Sequence, residues 1–146
     1  MKIAIVSGSS SGVGQSTAVQ VARRGNGVIL TYHGNQAGAL ETVAMIEKDG
    51  GAAVALPLDV GNTAAFPPFR EAVAAALRDR WQRDTFDFLV NAFERFPEVI
   101  PGLAAKTALG RLGEPDDIGM FIAALLSEEC RWITAQDIEV SGGYNL

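Results

Sequence analysis

The sequence has few of the residues that build disulfides, zinc sites and nucleic-acid surfaces. Its 146 residues include one cysteine, Cys130, and one histidine, His33. One cysteine excludes an internal disulfide and favours a reducing compartment, and so few ligand residues argue against a zinc site. Lysine and arginine together number 12 against 17 acidic residues, without any basic run. The net charge of −5 therefore argues against nucleic acid as a partner.

Long apolar runs are absent too. A membrane-spanning helix needs about 20 consecutive apolar residues, and no run approaches that length. The apolar run at residues 3–6 is followed at once by serine and glycine, which is unlike a signal peptide. We therefore expect a soluble cytoplasmic protein that contacts no membrane. A hydrophobic content of 48% can form a core, and the length predicts one domain, residues 1–146.

The stretch that organises the chain is residues 3–14, IAIVSGSSSGVG. An apolar run that predicts a buried strand leads into a glycine turn, and a helical pattern follows. Such a unit binds anions, because the backbone N–H groups of the turn and the positive end of the helix dipole converge. Serines also line the turn, so we favour a phosphate site over a simple tight connection. The glycines are Gly8, Gly12 and Gly14.

Strand and helix patterns then alternate. The predicted strands are residues 3–6, 28–32, 53–58 and 86–90, and the predicted helices are 13–24, 37–49 and 68–83. Strict alternation predicts an α/β fold, a Rossmann-like doubly wound parallel sheet. Pro57 lacks an N–H group, so its strand is predicted to lie at an edge of the sheet.

The alternation breaks after residue 92. Residues 93–113 are rich in proline and glycine and predict a loop with one short helix. Pro115 opens a strong helix, in which Asp116 and Asp117 suit the positive N-terminal end. Residues 138–140 predict a last short strand. The predicted buried stripe of the helix is Ile118, Phe121, Ile122 and Leu125.

Four segments in this order resemble the short-chain dehydrogenase/reductase family. Residues 7–14, SGSSSGVG, resemble its TGxxxGxG turn, and residues 58–60, LDV, resemble its aspartate after the third strand. Residues 86–92, FDFLVNA, resemble the approach to its NNAG motif. Residues 109–118 and 133–143 resemble its C-terminal section. The resemblance implies a nucleotide-binding half, residues 1–92, followed by a C-terminal loop, helix and strand, residues 93–146.

The resemblance also implies a nicotinamide dinucleotide at the ends of the strands. Asp59, beside Val60, would contact the adenine amino group, although Asp59 could instead cap the next helix or its own loop. Asn91 and Ala92 would lie near the adenosine ribose, although Asn91 could instead satisfy the end of its strand. The residues implied for the phosphate cradle are Gly8, Ser10, Ser11, Gly12, Val13 and Gly14.

The choice of cofactor depends on the end of the second strand. An acidic residue there would bond the ribose hydroxyls and favour NAD. This chain instead has Tyr32, His33 and Asn35 without an acid, which favours NADP. His33 is either a solvated loop residue or a contact for the ribose 2′-phosphate.

The catalytic residues of the family have no counterpart in this sequence. In the family, a central section of roughly three strand–helix units, each about thirty residues, carries a serine and a Tyr-x-x-x-Lys pair. The tyrosines of this chain, Tyr32 and Tyr144, have no lysine four residues later. Phe93 and Glu94 stand where NNAG continues with alanine and glycine. We predict no catalytic residue, because an unassisted phenol with a pKa of about 10 shuttles protons poorly at neutral pH.

Without the central strands, the last strand has one vacant parallel edge to join. We therefore predict five strands, in the order 3-2-1-4 followed by the C-terminal strand, through a right-handed crossover. If that edge instead stays open, it can pair with another chain, and a second copy of this chain would then give a homo-oligomer.

The sequence leaves three functions open. The first is an internally shortened chain that binds NADP(H) without catalysis by the family mechanism. The second is an active carbonyl or alcohol oxidoreductase whose central section is missing only from this sequence, and a small carbonyl or alcohol substrate belongs to this case alone. The third is a non-catalytic dinucleotide-binding or interaction module.

Overall fold

The computed structural model describes residues 1–92 and 103–144. Of the predicted loop at residues 93–113, the part from 93 to 102, with Phe93 and Glu94, lies outside these ranges. Short 3₁₀ turns occur at Thr63–Ala65, Ala104–Lys106 and Glu128–Cys130. The strands are β1 Ile3–Ser7, β2 Gly27–Tyr32, β3 Ala53–Pro57 and β4 Phe88–Asn91. The helices are α1 Gly12–Arg23, α2 Gln36–Lys48, α3 Phe66–Trp81 and α4 Pro115–Leu125.

The sheet of the described residues has four strands in the order β3-β2-β1-β4, and every pairing is parallel. This confirms the predicted parallel α/β fold and the order of its first four strands. The last residue of β3, Pro57, lies on an edge strand as predicted. Parallel pairing brings the carboxyl ends of all four strands to one end of the sheet, and Ser7 of β1 is in register with Asn91 of β4.

One face of the sheet is covered by α1, α2 and α4. Its core joins small and branched side chains of β1 and β2 to α1 and α2, and β4 adds Phe88 and Val90 at its margin. Because these strands bury side chains on both faces, their apolar runs are continuous rather than alternating. The buried residues are Ala4, Val6, Ala18, Val19, Val21, Ala22, Val28, Leu30, Ala39, Ile46, Ala53 and Ala123.

Within residues 1–92 and 103–144, the opposite face is covered by α3 alone. Val73, Leu77 and Trp81 recur every four residues and pack on Ile3, Ile5 and Ile29 of the sheet. Phe69 extends this stripe as a partly buried residue, as the spacing predicts. Trp81 closes the core against Gly27, where an added Cβ would come within 2.7 Å of the indole ring.

Helix α4 contacts its neighbour through small residues, which corrects the predicted buried stripe. Gly119 and Ala123 are its buried residues, whereas Ile118, Phe121, Ile122 and Leu125 are half-buried. A Cβ at Gly119 would lie 2.4 Å from the Ser16 Oγ of α1, so the two helices touch almost backbone to backbone. The Ser16 hydroxyl donates to Asp116 Oδ1 at 2.5 Å, which fixes the start of α4 on α1.

The predicted fifth strand is wrong for the described residues. Residues 138–140 form no strand, and the sheet ends at β4. The C-terminal segment pairs with the chain before α4 instead, because the N–H groups of Ala108 and Leu109 donate to the carbonyls of Gly143 and Gly142 at 3.0 and 3.1 Å. Nothing among residues 1–92 and 103–144 pairs with the outer edge of β4, where the side chain of Leu89 is 60% exposed.

Candidate functional site

The glycine turn joins β1 to α1 in a conformation that depends on its glycines. Gly8 and Gly12 have φ angles of 64° and 54°, in the left-handed region that glycine adopts without strain. An added Cβ at Gly8 would lie 2.5 Å from the carbonyl oxygen of Ala92, and one at Gly14 would lie 2.2 Å from that of Gly8. These close approaches explain why the turn needs glycine at Gly8 and Gly14.

Buried polar groups stabilise the glycine turn through hydrogen bonds. The backbone N–H of Ser9 donates to the Thr31 carbonyl at 2.9 Å, and the Ser9 hydroxyl donates to the Val6 carbonyl at 2.8 Å. The Thr42 hydroxyl of α2 lies 2.9 Å from the Ser9 carbonyl oxygen. Ser9 is fully buried, so its hydroxyl stabilises the turn from within and is not part of its surface.

Ser10 and Ser11 form that surface. Ser11 is the N-cap residue of α1, and its side chain makes no capping hydrogen bond. The first turn of α1 contains no acidic residue. The positive end of the helix dipole is therefore not neutralised by a carboxylate of its own first turn, which suits an external anion.

The end of β4 is tied to the end of β1 beside this turn. The Ser7 hydroxyl donates to Asn91 Oδ1 and accepts from the Ala92 N–H, both at 3.2 Å. Asn91 therefore makes the hydrogen bond expected of a residue that satisfies the end of its strand, and its place near the ribose stays a prediction. The motif alone assigns no role to Ser7, and the order of β1 beside β4 is the signal that would have found it.

The end of β2 leads into α2 through residues with structural bonds of their own. Asn35 Oδ1 caps α2 by accepting from the Gly38 N–H at 3.0 Å, and its amide donates to the Ser10 carbonyl at 3.4 Å. Tyr32 is half-buried and His33 is exposed. The loop after β2 is thus fastened to the glycine turn.

Asp59 after β3 faces His33 after β2. His33 Nε2 lies 3.7 Å from Asp59 Oδ2, and Asp59 Oδ1 accepts from the Gly61 N–H at 2.9 Å. Asp59 thus caps its own loop rather than α3, since Asn62 caps the 3₁₀ turn before that helix. Val60 beside it is exposed.

A groove with a cavity volume of about 520 Å³ adjoins these strand ends. Its lining is mostly apolar, with Ser7, Thr31 and Asn91 as polar groups at the strand ends and Arg70 on α3. The apolar residues are Ile5, Leu58, Val60, Phe66, Phe69, Val73, Phe86 and Leu89. Such a surface can take a flat apolar ring system beside a phosphate site.

The clearest perturbations of pKa values lie away from this end of the sheet. Burial raises the pKa of Asp87, but hydrogen bonds from Arg83 and the Ile3 N–H outweigh it and lower the value overall. Hydrogen bonds from Arg111 and the Glu114 N–H lower the pKa of Asp117 to about 2. Both carboxylates serve structure. No group of three His, Cys, Asp or Glu that could hold a metal occurs within residues 1–92 and 103–144.

These features define the class of the molecule as an α/β protein with a Rossmann-like nucleotide-binding fold. A family model described as short chain dehydrogenase matches residues 2–93, and one described as Enoyl-(Acyl carrier protein) reductase matches residues 91–145. The chain belongs to the short-chain dehydrogenase/reductase family, which confirms the resemblance in its sequence.

Curated relatives match parts of the chain. The short-chain dehydrogenase/reductase homolog YusS of Bacillus subtilis is 36% identical over 90 residues, which cover 62% of this chain and 77% of YusS. Glucose 1-dehydrogenase 2 of the same organism is 34% identical over 91 residues, but these cover only 33% of that enzyme. An oxidoreductase of Methylorubrum extorquens is 50% identical over 46 residues, or 18% of its length. The chain thus spans well under two thirds of the latter two relatives.

Solved structures share the fold. The reductase LugOII, which catalyses a keto-reduction in lugdunomycin biosynthesis, matches with a TM-score of 0.87 at 22% identity, covering 97% of this chain and 96% of LugOII. The landomycin C-6 ketoreductase LanV, solved with NADP and rabelomycin, matches with a TM-score of 0.89 at 21% identity, covering 99% and 96%. Acetoin dehydrogenase of Enterobacter cloacae matches with a TM-score of 0.53 at 35% identity, covering 65% and 35%.

The structure therefore gathers the predicted site residues at the carboxyl ends of the strands. The cradle residues of the turn adjoin Asn91 and Ala92 on one side and Asn35 on the other, and His33 faces Asp59. Their role in binding stays a prediction. For the membrane expectation, no helix within residues 1–92 and 103–144 has the length and apolar character to cross a bilayer.

Proposed function

We propose that this chain binds a nicotinamide dinucleotide, NADP(H) in preference to NAD(H), at the carboxyl ends of β1 to β4. The observation that carries the proposal is the glycine turn, with left-handed Gly8 and Gly12, which leads into an α1 whose first turn has no acidic residue. Backbone N–H groups and the helix dipole together favour a pyrophosphate at that position. Family membership and the NADP found in LanV support the same interpretation.

The proposed placement follows the sequence of chemical groups in the cofactor. The pyrophosphate lies over Gly12, Val13 and Gly14, with the hydroxyls of Ser10 and Ser11 as further donors. The adenine lies against Val60 at the mouth of the apolar groove, and Asp59 accepts from its amino group. The adenosine ribose lies between Asn91 and Ala92 on one side and Tyr32, His33 and Asn35 on the other.

The residues of this chain bind and orient but do not move a proton. The bound dinucleotide would supply hydride chemistry, and carbonyl reduction also needs a proton donor beside the substrate. Tyr32 is followed by Gln36 rather than by a lysine four residues later, and it belongs to β2. We therefore propose that the 146 residues bind the cofactor without completing reduction by the family mechanism.

Gly12→Val tests the cradle directly. The branched side chain would occupy the space of the phosphate, so titration calorimetry with NADP⁺ should detect no binding. Gly50→Val is a matched control, because Gly50 also has a left-handed φ, 81°, but lies in open space after α2. Both variants place a branched side chain at a left-handed φ, and only Gly12→Val should lose binding. Equal binding by the two variants would contradict the cradle.

A second candidate is an active carbonyl or alcohol oxidoreductase that has a central section. The ketoreductases LugOII and LanV favour it, since the match covers 96% of each chain. The intact mass of the natural polypeptide separates the candidates, because 146 residues of this sequence correspond to 15.4 kDa. Steady oxidation of NADPH with an activated ketone by a 15.4 kDa polypeptide would contradict the non-catalytic proposal.

The third candidate is an interaction module that assembles with another chain or with itself. Among the described residues nothing pairs with the outer edge of β4, and Leu89 there is exposed; both observations favour this candidate, because an unpaired edge can accept a further strand. Sedimentation at several protein concentrations checks it, and a concentration-independent monomer that binds NADP⁺ would leave the first candidate.

A further inference from the structure

One face of α2 packs against the glycine turn and holds carbonyl groups of its backbone. Thr42 Oγ1 lies 2.9 Å from the carbonyl oxygen of Ser9, and Asn35 Nδ2 lies 3.4 Å from that of Ser10. An added Cβ at Gly38 would come within 2.3 Å of the same Ser10 oxygen, so α2 approaches the turn closely here. Residues 35, 38 and 42 have the spacing of a single helix face, and that face contacts the turn.

The direction of these carbonyls decides where the N–H groups of the turn point. In a trans peptide, the C=O and N–H bonds point in opposite directions. The Ser9 carbonyl points to Thr42, which is fully buried, so the N–H of Ser10 points away from the interior. Among residues 1–92 and 103–144, that N–H has no hydrogen-bond acceptor. An outward donor of this kind can bind a phosphate oxygen.

The Thr42 hydroxyl has more neighbours than one proton can satisfy. Its oxygen accepts from the Gln15 amide of α1 at 2.9 Å, which leaves its single proton for a carbonyl. Two carbonyl oxygens lie within reach of that proton, that of Ser9 at 2.9 Å and that of Gly38 in the same helix at 2.8 Å. The proton can bond either the turn or α2, and Thr42 therefore joins α1, α2 and the turn.

We propose that Thr42 is a positioning residue of the phosphate cradle, which fixes the Ser9–Ser10 peptide with its N–H toward the cofactor. The inference rests on the proposed function. A phosphate oxygen on the Ser10 N–H polarises this peptide and makes the Ser9 carbonyl the stronger acceptor, because hydrogen bonds in a chain strengthen one another. Binding thus draws the Thr42 proton from Gly38 to Ser9. Thr42 acts through the peptide and does not touch the cofactor.

Thr42→Val tests the inference, because valine has nearly the shape of threonine and lacks the hydroxyl. Titration calorimetry of the whole chain should show NADP⁺ bound about tenfold more weakly, the effect of one hydrogen bond. NAD⁺ should weaken by the same factor, since both cofactors carry the pyrophosphate. Thr42→Ser keeps the hydroxyl and should bind both cofactors within about twofold of the natural chain.

Thr17→Val is the matched control. Thr17 is fully buried in α1, and its hydroxyl has no hydrogen-bond partner among the described residues. The same chemical change there should leave both dissociation constants unchanged. Equal weakening by Thr17→Val and Thr42→Val would overturn the inference, because the loss would then follow from altering any buried threonine of this region.

Hydrogen exchange at the Ser10 amide gives a second readout, which needs no variant. In the natural chain, NMR should show this amide exchanging fast without ligand and slowly with NADP⁺ bound, because the ligand supplies an acceptor. At saturating NADP⁺, Thr42→Val should leave the amide less protected and Thr42→Ser should restore the protection. A Ser10 amide that exchanges equally fast with and without bound NADP⁺ would overturn the inference, whether or not Thr42→Val folds.

The outcomes separate the inference from the proposed function. If the natural chain and Thr42→Val bind NADP⁺ and NAD⁺ equally well, the inference is overturned and the proposed function stands. If the natural chain binds neither cofactor, both are overturned. A loss of affinity in Thr42→Val that Thr42→Ser restores and Thr17→Val does not share supports both.

Discussion

The two faces of the sheet are packed by different means. The face under α1, α2 and α4 uses small residues, and at Gly119 one helix approaches another closely enough to exclude even a methyl group. The face under α3 uses large side chains such as Leu77 and Trp81, and the part of the chain that the structure describes leaves Leu89 of that face exposed. Successive side chains of β4 show the contrast, since Val90 joins the first face and Leu89 on the second is exposed.

The difference relates packing to the candidate site. The glycine turn leads into α1. The close packing of α1 on the first face therefore fixes the position of the turn relative to the ends of the strands. Gly14 and Gly8 belong to that contact. The second face contributes the groove beside the site, where apolar side chains remain available to a ligand. The tightly packed face positions the cradle, and the loosely packed face leaves room beside it.

The largest expected effect on stability is the difference between truncating a buried leucine and truncating an exposed one, both on the face of the sheet that α3 covers. Leu77→Ala should destabilise the fold by about 3 kcal/mol, because it removes a buried side chain and leaves a cavity. Leu89→Ala should cost less than about 0.5 kcal/mol, because its side chain already contacts water. Urea denaturation measures both. A cost for Leu89→Ala close to that for Leu77→Ala would mean that another surface covers this face in solution.

A somewhat smaller effect is expected from overpacking the first face. Gly119→Ala places a methyl group 2.4 Å from Ser16 Oγ and 2.8 Å from the Ser16 carbonyl carbon, which the backbone must relieve. We expect a loss of about 2 kcal/mol in the free energy of unfolding. Met120→Ala on the exposed side of α4 is the control and should be nearly neutral. Equal stability of Gly119→Ala and the natural chain would show that the two helices separate readily.

The smallest effect concerns the N-terminus of α4, at the border of the first face. Hydrogen bonds from Arg111 and the Glu114 N–H lower the pKa of Asp117 to about 2. The ionised Asp117 therefore stabilises the fold at pH values above the ordinary pKa of an aspartate, and this stabilisation is lost as pH falls from about 4 to 2. NMR titration should show this midpoint, and Arg111→Gln should raise it. Arg131→Gln, which leaves the pair intact, should not move it.

The sequence predicts the first half of the fold because the conformational preferences of single residues there agree with the parallel sheet that the whole chain forms. The run before Gly8 is apolar on both sides of the strand, and the glycines mark a turn that no other residue could form. Pro57 marks an edge strand because it lacks an N–H group. Each of these features is decided by a residue and its immediate neighbours.

The second half depends on partners that a sequence does not name. The helical period shows that α4 is apolar, but the closest contact is made by Gly119 and Ala123, where α1 can approach, rather than by its largest side chains. Residues 138–140 have the composition of a strand, but their neighbours Gly142 and Gly143 bond to residues 108 and 109 instead. The approach of His33 to Asp59 likewise depends on two loop conformations.

The docking of α4 onto α1 has a consequence for how this architecture tolerates changes in length. Ser16 and Asp116 join the two ends of the fold directly, one hundred residues apart in sequence. The joint between α1 and α4 does not pass through β4, so segments inserted between residues 92 and 103 need not disturb it. The two family models meet at residues 91–93, next to that position. The glycine turn precedes this junction in the chain and leads directly into α1, the helix that the Ser16–Asp116 bond joins to α4.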